Sequence, residues 1–203
     1  MLSTILAAAA ALALAPRLPR LRQRYDDTAL APIDGAADRR DNPALTRQLA
    51  EWAAQGAGNG ATLLPWARPA VPVPLAIARV AASEATAVRH FGYRLAGYHQ
   101  LDERSRLGGI LYRIGVQLRP LAWCLPRRAD EPWDDAWLTA ADAPRLPALA
   151  RWLPRRPTLI VLADAHLAGP VEAALAHAAR HGDQPVRLLV LDPATPPGQL
   201  RAG

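Results

Sequence analysis

The chain has 203 residues, 51% of them apolar and 21% charged, which excludes a wholly disordered or collagen-like protein and allows one good-sized domain or two small ones. Its single cysteine, Cys124, excludes a disulfide framework and a cysteine-built zinc finger, and fits an ordinary buried thiol. The net charge of +6 rests on 24 basic residues, all arginine, spread along the chain; this reads as a coding bias, and no nucleic-acid-binding module accompanies it.

Residues 1–24 form the first unit. Leu2 to Ala15 is uncharged, ends at Pro16, and reads as a helical segment about 21 Å long, short of a hydrocarbon core of roughly 30 Å. Arg17, Arg20, Arg22 and Arg24 follow it. Three readings stay open. A short membrane anchor would keep the rest of the chain in the cytoplasm by the positive-inside tendency. A signal peptide would use the small-x-small site Ala13-Leu14-Ala15 and export the chain. A helix could also pack on the protein itself or on a partner. The expectation is membrane contact through Leu2 to Arg24.

Residues 25–60 combine a polar linker, Tyr25 to Pro43, with a helix opened by Asn42-Pro43. Leu45, Leu49, Trp52 and Ala53 repeat at helical spacing through Gln55, and Gly56, Gly58 and Gly60 end it. Residues 61–118 begin with Thr62 to Pro74, whose four prolines forbid a regular helix or a central strand. Leu75 to Val88 then resumes helical spacing through Ile77, Val80 and Ala81. From Phe91 the alternation of Phe91, Tyr93 and Leu95, and from Ile110 that of Ile110, Tyr112, Ile114, Val116 and Leu118, predicts two strands. With turn residues from Asp102 to Arg106 and Gly108-Gly109 between them, they predict a central β-hairpin.

Residues 119–203 open on Leu121 to Leu125 as a short buried strand holding Cys124. Trp133 and Trp137, four apart, are expected to share a helix face. The end of the chain is a β-α-β pattern: Thr158 to Ala163 as a strand, Pro170 to His181 as a helix, Val186 to Leu191 as a strand. Continuously apolar strands around a helix imply a parallel sheet covered on both faces. The fold class expected is therefore α/β, with a central β-hairpin unit and a C-terminal β-α-β unit behind an N-terminal apolar helix.

Several groupings can carry chemistry. His177 and His181 stand four apart on the predicted helix, and His166 follows the preceding strand, so three imidazoles are candidate metal ligands; the bland reading is polar residues in a last helical turn. Asp164, His166 and Asp183 are a candidate acid/base cluster at strand ends. Asp134-Asp135 near Glu131 suits a cation or a solvated helix start. The serines, Ser3, Ser83 and Ser105, sit in no nucleophile elbow, which argues against a serine hydrolase.

The run Thr158-Leu159-Ile160-Val161-Leu162-Ala163-Asp164-Ala165-His166, a helix, and Arg187-Leu188-Leu189-Val190-Leu191-Asp192-Pro193 resembles the second half of STAND-class P-loop ATPases of the maltose-regulator type. The similarity spans about the last 85 residues. It implies a Walker B strand ending near Asp164 as the base and a sensor strand ending near Asp192, and so places Asp164, His166 and Asp192 nearest any nucleotide. The departures are specific. The metal-holding acid falls on Ala163 and the expected arginine on Pro193. A Walker A loop needs glycines and a lysine; the nearest stretch, Gly97 to Ser105, has Glu103 and Arg104 instead. The reading is a membrane-associated, non-catalytic interaction or scaffold protein with a protein partner and no legible cofactor. The alternatives are a nucleotide-binding switch with a degenerate site, and a metal-dependent enzyme at the strand ends near Asp164.

Overall fold

A computed structural model describes residues 42–55, 75–97, 99–102, 104–118, 132–154, 156–182 and 184–203. Leu2 to Ala15 with its arginine flank, Thr62 to Pro74, Leu121 to Leu125 with Cys124, and Asp183 lie outside the described residues. Helix α1, Pro43–Ala54, starts as its sequence dictates: the Asn42 side chain accepts from the Leu45 amide at 3.2 Å, and Pro43 takes the first position, where no amide is needed. Leu45, Leu49, Trp52 and Ala53 are its buried face.

The helix expected over Leu75 to Val88 is corrected. Strand β1 runs Ala76–Ala81, followed by a 3₁₀ turn, Ala82–Glu84, and helix α2, Ala85–Leu95. Ile77 and Val80 fit a helical step, but here they belong to opposite faces of a strand: Ala78 and Val80 join one core, Ile77 the other. The β-hairpin is corrected too. Ala87, Val88, Phe91 and Gly92 form the buried side of α2, continuing a helical spacing that begins before Phe91. After a one-turn helix α3, His99–Asp102, the residues Arg106–Leu118 form helix α4. Gly97 joins α2 to this region at φ +77, where an added Cβ would collide with the Tyr112 hydroxyl.

Trp133 and Trp137 share a face, but of a strand: β2 is Asp134–Leu138. A 3₁₀ turn, Ala140–Arg145, and the short helix α5, Leu146–Leu149, lead to β3, Thr158–Leu162. A 3₁₀ turn, Ala165–Leu167, opens α6, Ala168–His181, which is followed by β4, Val186–Asp192. This β-α-β unit forms as its pattern predicts, with β3 and β4 parallel and Leu162 opposite Val190. Strand β5, Arg201–Ala202, closes the described chain.

The sheet order is β2-β3-β4-β1-β5, parallel except for β5, which runs antiparallel to β1. Its faces are covered separately. Val171, Leu175 and Ala178 of α6 pack with Leu149 and Trp152 on Ile160, Leu162, Leu188 and Val190. Leu45, Leu49 and Trp52 of α1 and Val88 and Phe91 of α2 pack on Val80, Leu159, Val161, Leu189 and Leu191. Among the described residues no helix is long and apolar enough to cross a membrane.

One charged side chain interrupts the buried strands. Arg187 on β4 is fully buried and turns to the C-terminal end of α1, where helix carbonyls lack intrahelical partners. Its Nε donates to the Ala53 carbonyl at 3.2 Å, one terminal nitrogen donates to Val186 O at 3.2 Å, and the other donates to Gln55 O. Replacing it removes the side-chain donor from the buried Ala53 carbonyl and unfastens the end of α1 from β4. Arg187→Ala is expected to cost about 3 kcal/mol in urea unfolding, and Arg187→Lys to recover less than half of that loss, because an ammonium cannot span the three acceptors.

Candidate functional site

Strand β1 leaves the sheet toward α2 on one face, whereas β3 leaves toward α6 on the other, with β4 between them. In open α/β sheets such a reversal opens a crevice beyond the carboxyl ends of the strands, the usual place for a ligand. The residues here are Ser83 and Glu84 after β1, Asp164 and His166 after β3, and Asp192 to Thr195 at the end of β4. Parallel pairing of Leu162 with Val190 brings Asp164 and Asp192 to the same edge of the sheet. Two of the three residues that the resemblance places nearest a nucleotide thus end level with each other, and His166 follows Asp164 in its turn.

Each carboxylate there is engaged locally. Asp164 Oδ1 accepts the His166 amide at 2.9 Å, an Asx turn that starts the 3₁₀ segment. Asp192 Oδ1 accepts the Ala194 amide at 2.9 Å, and its Oδ2 accepts from Arg79 at 3.3 Å. The Ala194 amide first, then Arg79 and Thr195, hold the Asp192 carboxyl below the usual carboxylate range. Ala163 presents a methyl group where the ATPase resemblance implies a metal ligand.

In a P-loop the phosphate cradle lies between a strand and the helix after it. Gly97 to Ser105 has no such position, since it begins at the end of α2. After β1 the strand-to-helix joint is Ala81-Ala82-Ser83-Glu84-Ala85, with no glycine and no cation. Glu84 stands at the N-cap of α2, where the helix dipole and free amides would attract an anion. Its Oε1 accepts from the Asn42 side chain at 3.2 Å and from the Gly198 amide at 3.2 Å. One carboxylate therefore joins the start of α1, the start of α2 and the β4–β5 connection. Sequence reading missed it, because its partners lie 42 and 114 positions away.

The three histidines are not brought together. His177 and His181 sit in the last turns of α6 with ring centroids 4.4 Å apart, and His181 Nδ1 donates to the His177 carbonyl at 3.1 Å. His166 lies before the first turn, so the helix length, about 20 Å, separates the two ends. No group of three or more His, Cys, Asp or Glu arranged to hold a metal occurs among the described residues. Asp134 and Asp135 also diverge, since successive strand residues face opposite sides. Asp134 pairs with Arg156 at 3.6 Å. Asp135 shares its side of the strand with Trp133 and Trp137, which pack on the α1/α2 core, and Arg89 of α2 lies 4.7 Å over the Trp137 ring.

Two shallow hollows of about 210 and 250 Å³ flank α1, one lined by Gln48, Trp52 and Leu200, the other by Thr46, Arg47 and Arg94. Neither touches Asp164, His166 or Asp192. Comparison of the chain with protein-family models, curated proteins and solved structures matches none of them.

Two substitutions test this geometry. Burial first, and the charge of Asp134 second, push the Asp135 carboxyl up to about 7 from an ordinary 3.8. The folded chain then holds a proton that the unfolded chain has lost, so stability falls as pH rises across that interval. Asp135→Asn is expected to stabilise by about 2 kcal/mol at pH 8 and to be neutral at pH 4, as urea unfolding at both values will read. Glu84→Ala is expected to lower stability by about 1–3 kcal/mol, with Asn42→Ala non-additive to it in a double-mutant cycle.

Proposed function

We propose that the chain is a non-catalytic interaction or scaffold domain of a membrane-associated protein, built on an α/β frame akin to P-loop ATPases but without nucleotide chemistry. The observation that carries this reading is the joint after β1. A triphosphate there would meet the Glu84 carboxylate instead of glycine amides and an ammonium. The residues present do not fit a nucleotide with its metal ion: Ala163 offers no ligand, Asp164 is tied to its own turn, and Pro193 replaces the expected cation. No catalytic residue is assigned. What such a domain retains is a rigid sheet that holds its helices in fixed relation to a protein partner.

The test is direct titration of the full chain with ATP and Mg²⁺ by calorimetry, alongside thermal unfolding in the same mixture. Neither binding heat nor a rise in Tm is expected at about 1 mM nucleotide, which puts any Kd above that value. A micromolar Kd that weakens on Asp164→Asn overturns the reading and installs the nucleotide-switch alternative. Retention of zinc through dialysis by the full chain would instead favour the metal-dependent reading.

A further inference from the structure

Helix α4 is turned the wrong way for a globular protein. A helix packed on a sheet ordinarily directs its apolar stripe inward. By the helical step, Leu107, Ile110, Leu111, Ile114 and Leu118 fall within about 100° of arc. Yet Leu107 is 75% exposed, Ile110 55% and Leu111 68%, and these are the exposed large hydrophobic side chains among the described residues. Tyr112 lies on the opposite side of the helix. Its hydroxyl closes on Gly97, and the Arg104 guanidinium sits 4.5 Å over its ring. Tyr112 thus meets the joint after α2, and the aliphatic stripe faces outward.

Charge selects among the surfaces that could cover the stripe. The helix itself, Arg106–Leu118, carries Arg106 and Arg113 and no aspartate or glutamate. By the helical step Arg106 and Arg113 stand on one flank of the stripe, and an antiparallel second copy docked through it would set them against their own like charge across the two-fold axis. A nucleic acid would match the charge but gain nothing from leucine and isoleucine, which offer no stacking platform. An anionic bilayer surface matches both features, since aliphatic side chains enter the headgroup and acyl boundary while arginines meet lipid phosphates. At 13 residues, about 20 Å, α4 suits lying in the interface and not crossing it.

We propose that α4 is a membrane-surface element whose outward face, Leu107, Ile110 and Leu111, inserts shallowly into an anionic lipid interface. This deepens the membrane-associated reading, which otherwise stands on Leu2 to Arg24 alone. The test is flotation of the full chain with neutral phosphatidylcholine vesicles, and with vesicles containing roughly one-third phosphatidylglycerol. Two double variants accompany the native chain: Leu107→Asp with Leu111→Asp, and Leu6→Asp with Leu12→Asp. The native chain is expected to prefer the anionic vesicles, and the α4 variant to lose at least about tenfold in partition with its Tm unchanged. Equal partition of native chain and α4 variant, within about twofold, overturns the proposal. If only the Leu6/Leu12 variant loses partition, membrane association stands and the role of α4 falls; if the native chain does not partition, both fall. A shift from dimer to monomer in the α4 variant, with vesicle binding intact, overturns it in favour of self-association.

Discussion

Four parallel strands covered on both faces leave little space for charge except at their ends, and most polar arrangements in this protein follow from that restriction. Within β3 and β4 the side chains are apolar apart from Thr158, Arg187 and Asp192. Asp192 stands at a strand end, and Thr158 turns its hydroxyl to the Arg156 carbonyl at 2.9 Å. Arg187 alone must satisfy a full charge inside, and it does so with the carbonyls at the end of α1. Burial lowers the pKa of that guanidinium, as desolvation does for any cation, but from so high a value that the charge persists. Helix α1 is consequently fastened at both ends, by Asn42 to Glu84 at its start and by Arg187 at its finish. The same restriction acts on Asp135, which sits on an edge strand on the side of Trp133 and Trp137 and whose carboxyl is pushed up to about 7.

At the strand ends the carboxylates serve the chain's own turns. A crevice beyond parallel strands is useful when its amides and charges are left for a guest. Here Asp164, Asp192 and Glu84 each accept from backbone amides of the chain's own turns, at 2.9, 2.9 and 3.2 Å. Such bonds fix the 3₁₀ turn before α6, the turn after β4 and the path to β5. The polarity at the start of α2 is the reverse of what would recognise a phosphate, because a carboxylate occupies the positive end of the helix dipole.

The parts of this fold that were legible in sequence are those where only one periodicity fits. Asn42-Pro43 with Leu45, Leu49 and Trp52 admits a helix and no strand, and the unbroken apolar runs before and after α6 admit buried strands. Between residues 75 and 118 both periods fit. Ile110, Ile114 and Leu118 are spaced by four, an even number, so the same residues align on one side of a strand and on one face of a helix. Trp133 and Trp137 mislead in the opposite direction for the same reason. Of the candidate site, sequence located Asp164, His166 and Asp192 at one edge but not the bonds that occupy them. Glu84 and Arg187 were invisible because their partners lie on α1 and the β4–β5 connection, 42 to 134 positions away.

The absence of lysine ties composition to these outcomes. An ammonium is a compact charge that can enter a ring of backbone amides beside a phosphate, whereas a guanidinium is a wide planar fork. The forks in this chain are used where width helps: Arg187 spans three carbonyls, and Arg89 and Arg104 sit over the rings of Trp137 and Tyr112. The contacts of Arg187 and Arg89 hold helices α1 and α2 to the sheet, and they leave the β1–α2 joint with no cation of its own. A chain restricted to arginine can still build a rigid α/β frame, but a phosphate cradle of the P-loop kind needs both a lysine and a glycine-rich joint. This sequence has neither at the position where its topology would place one.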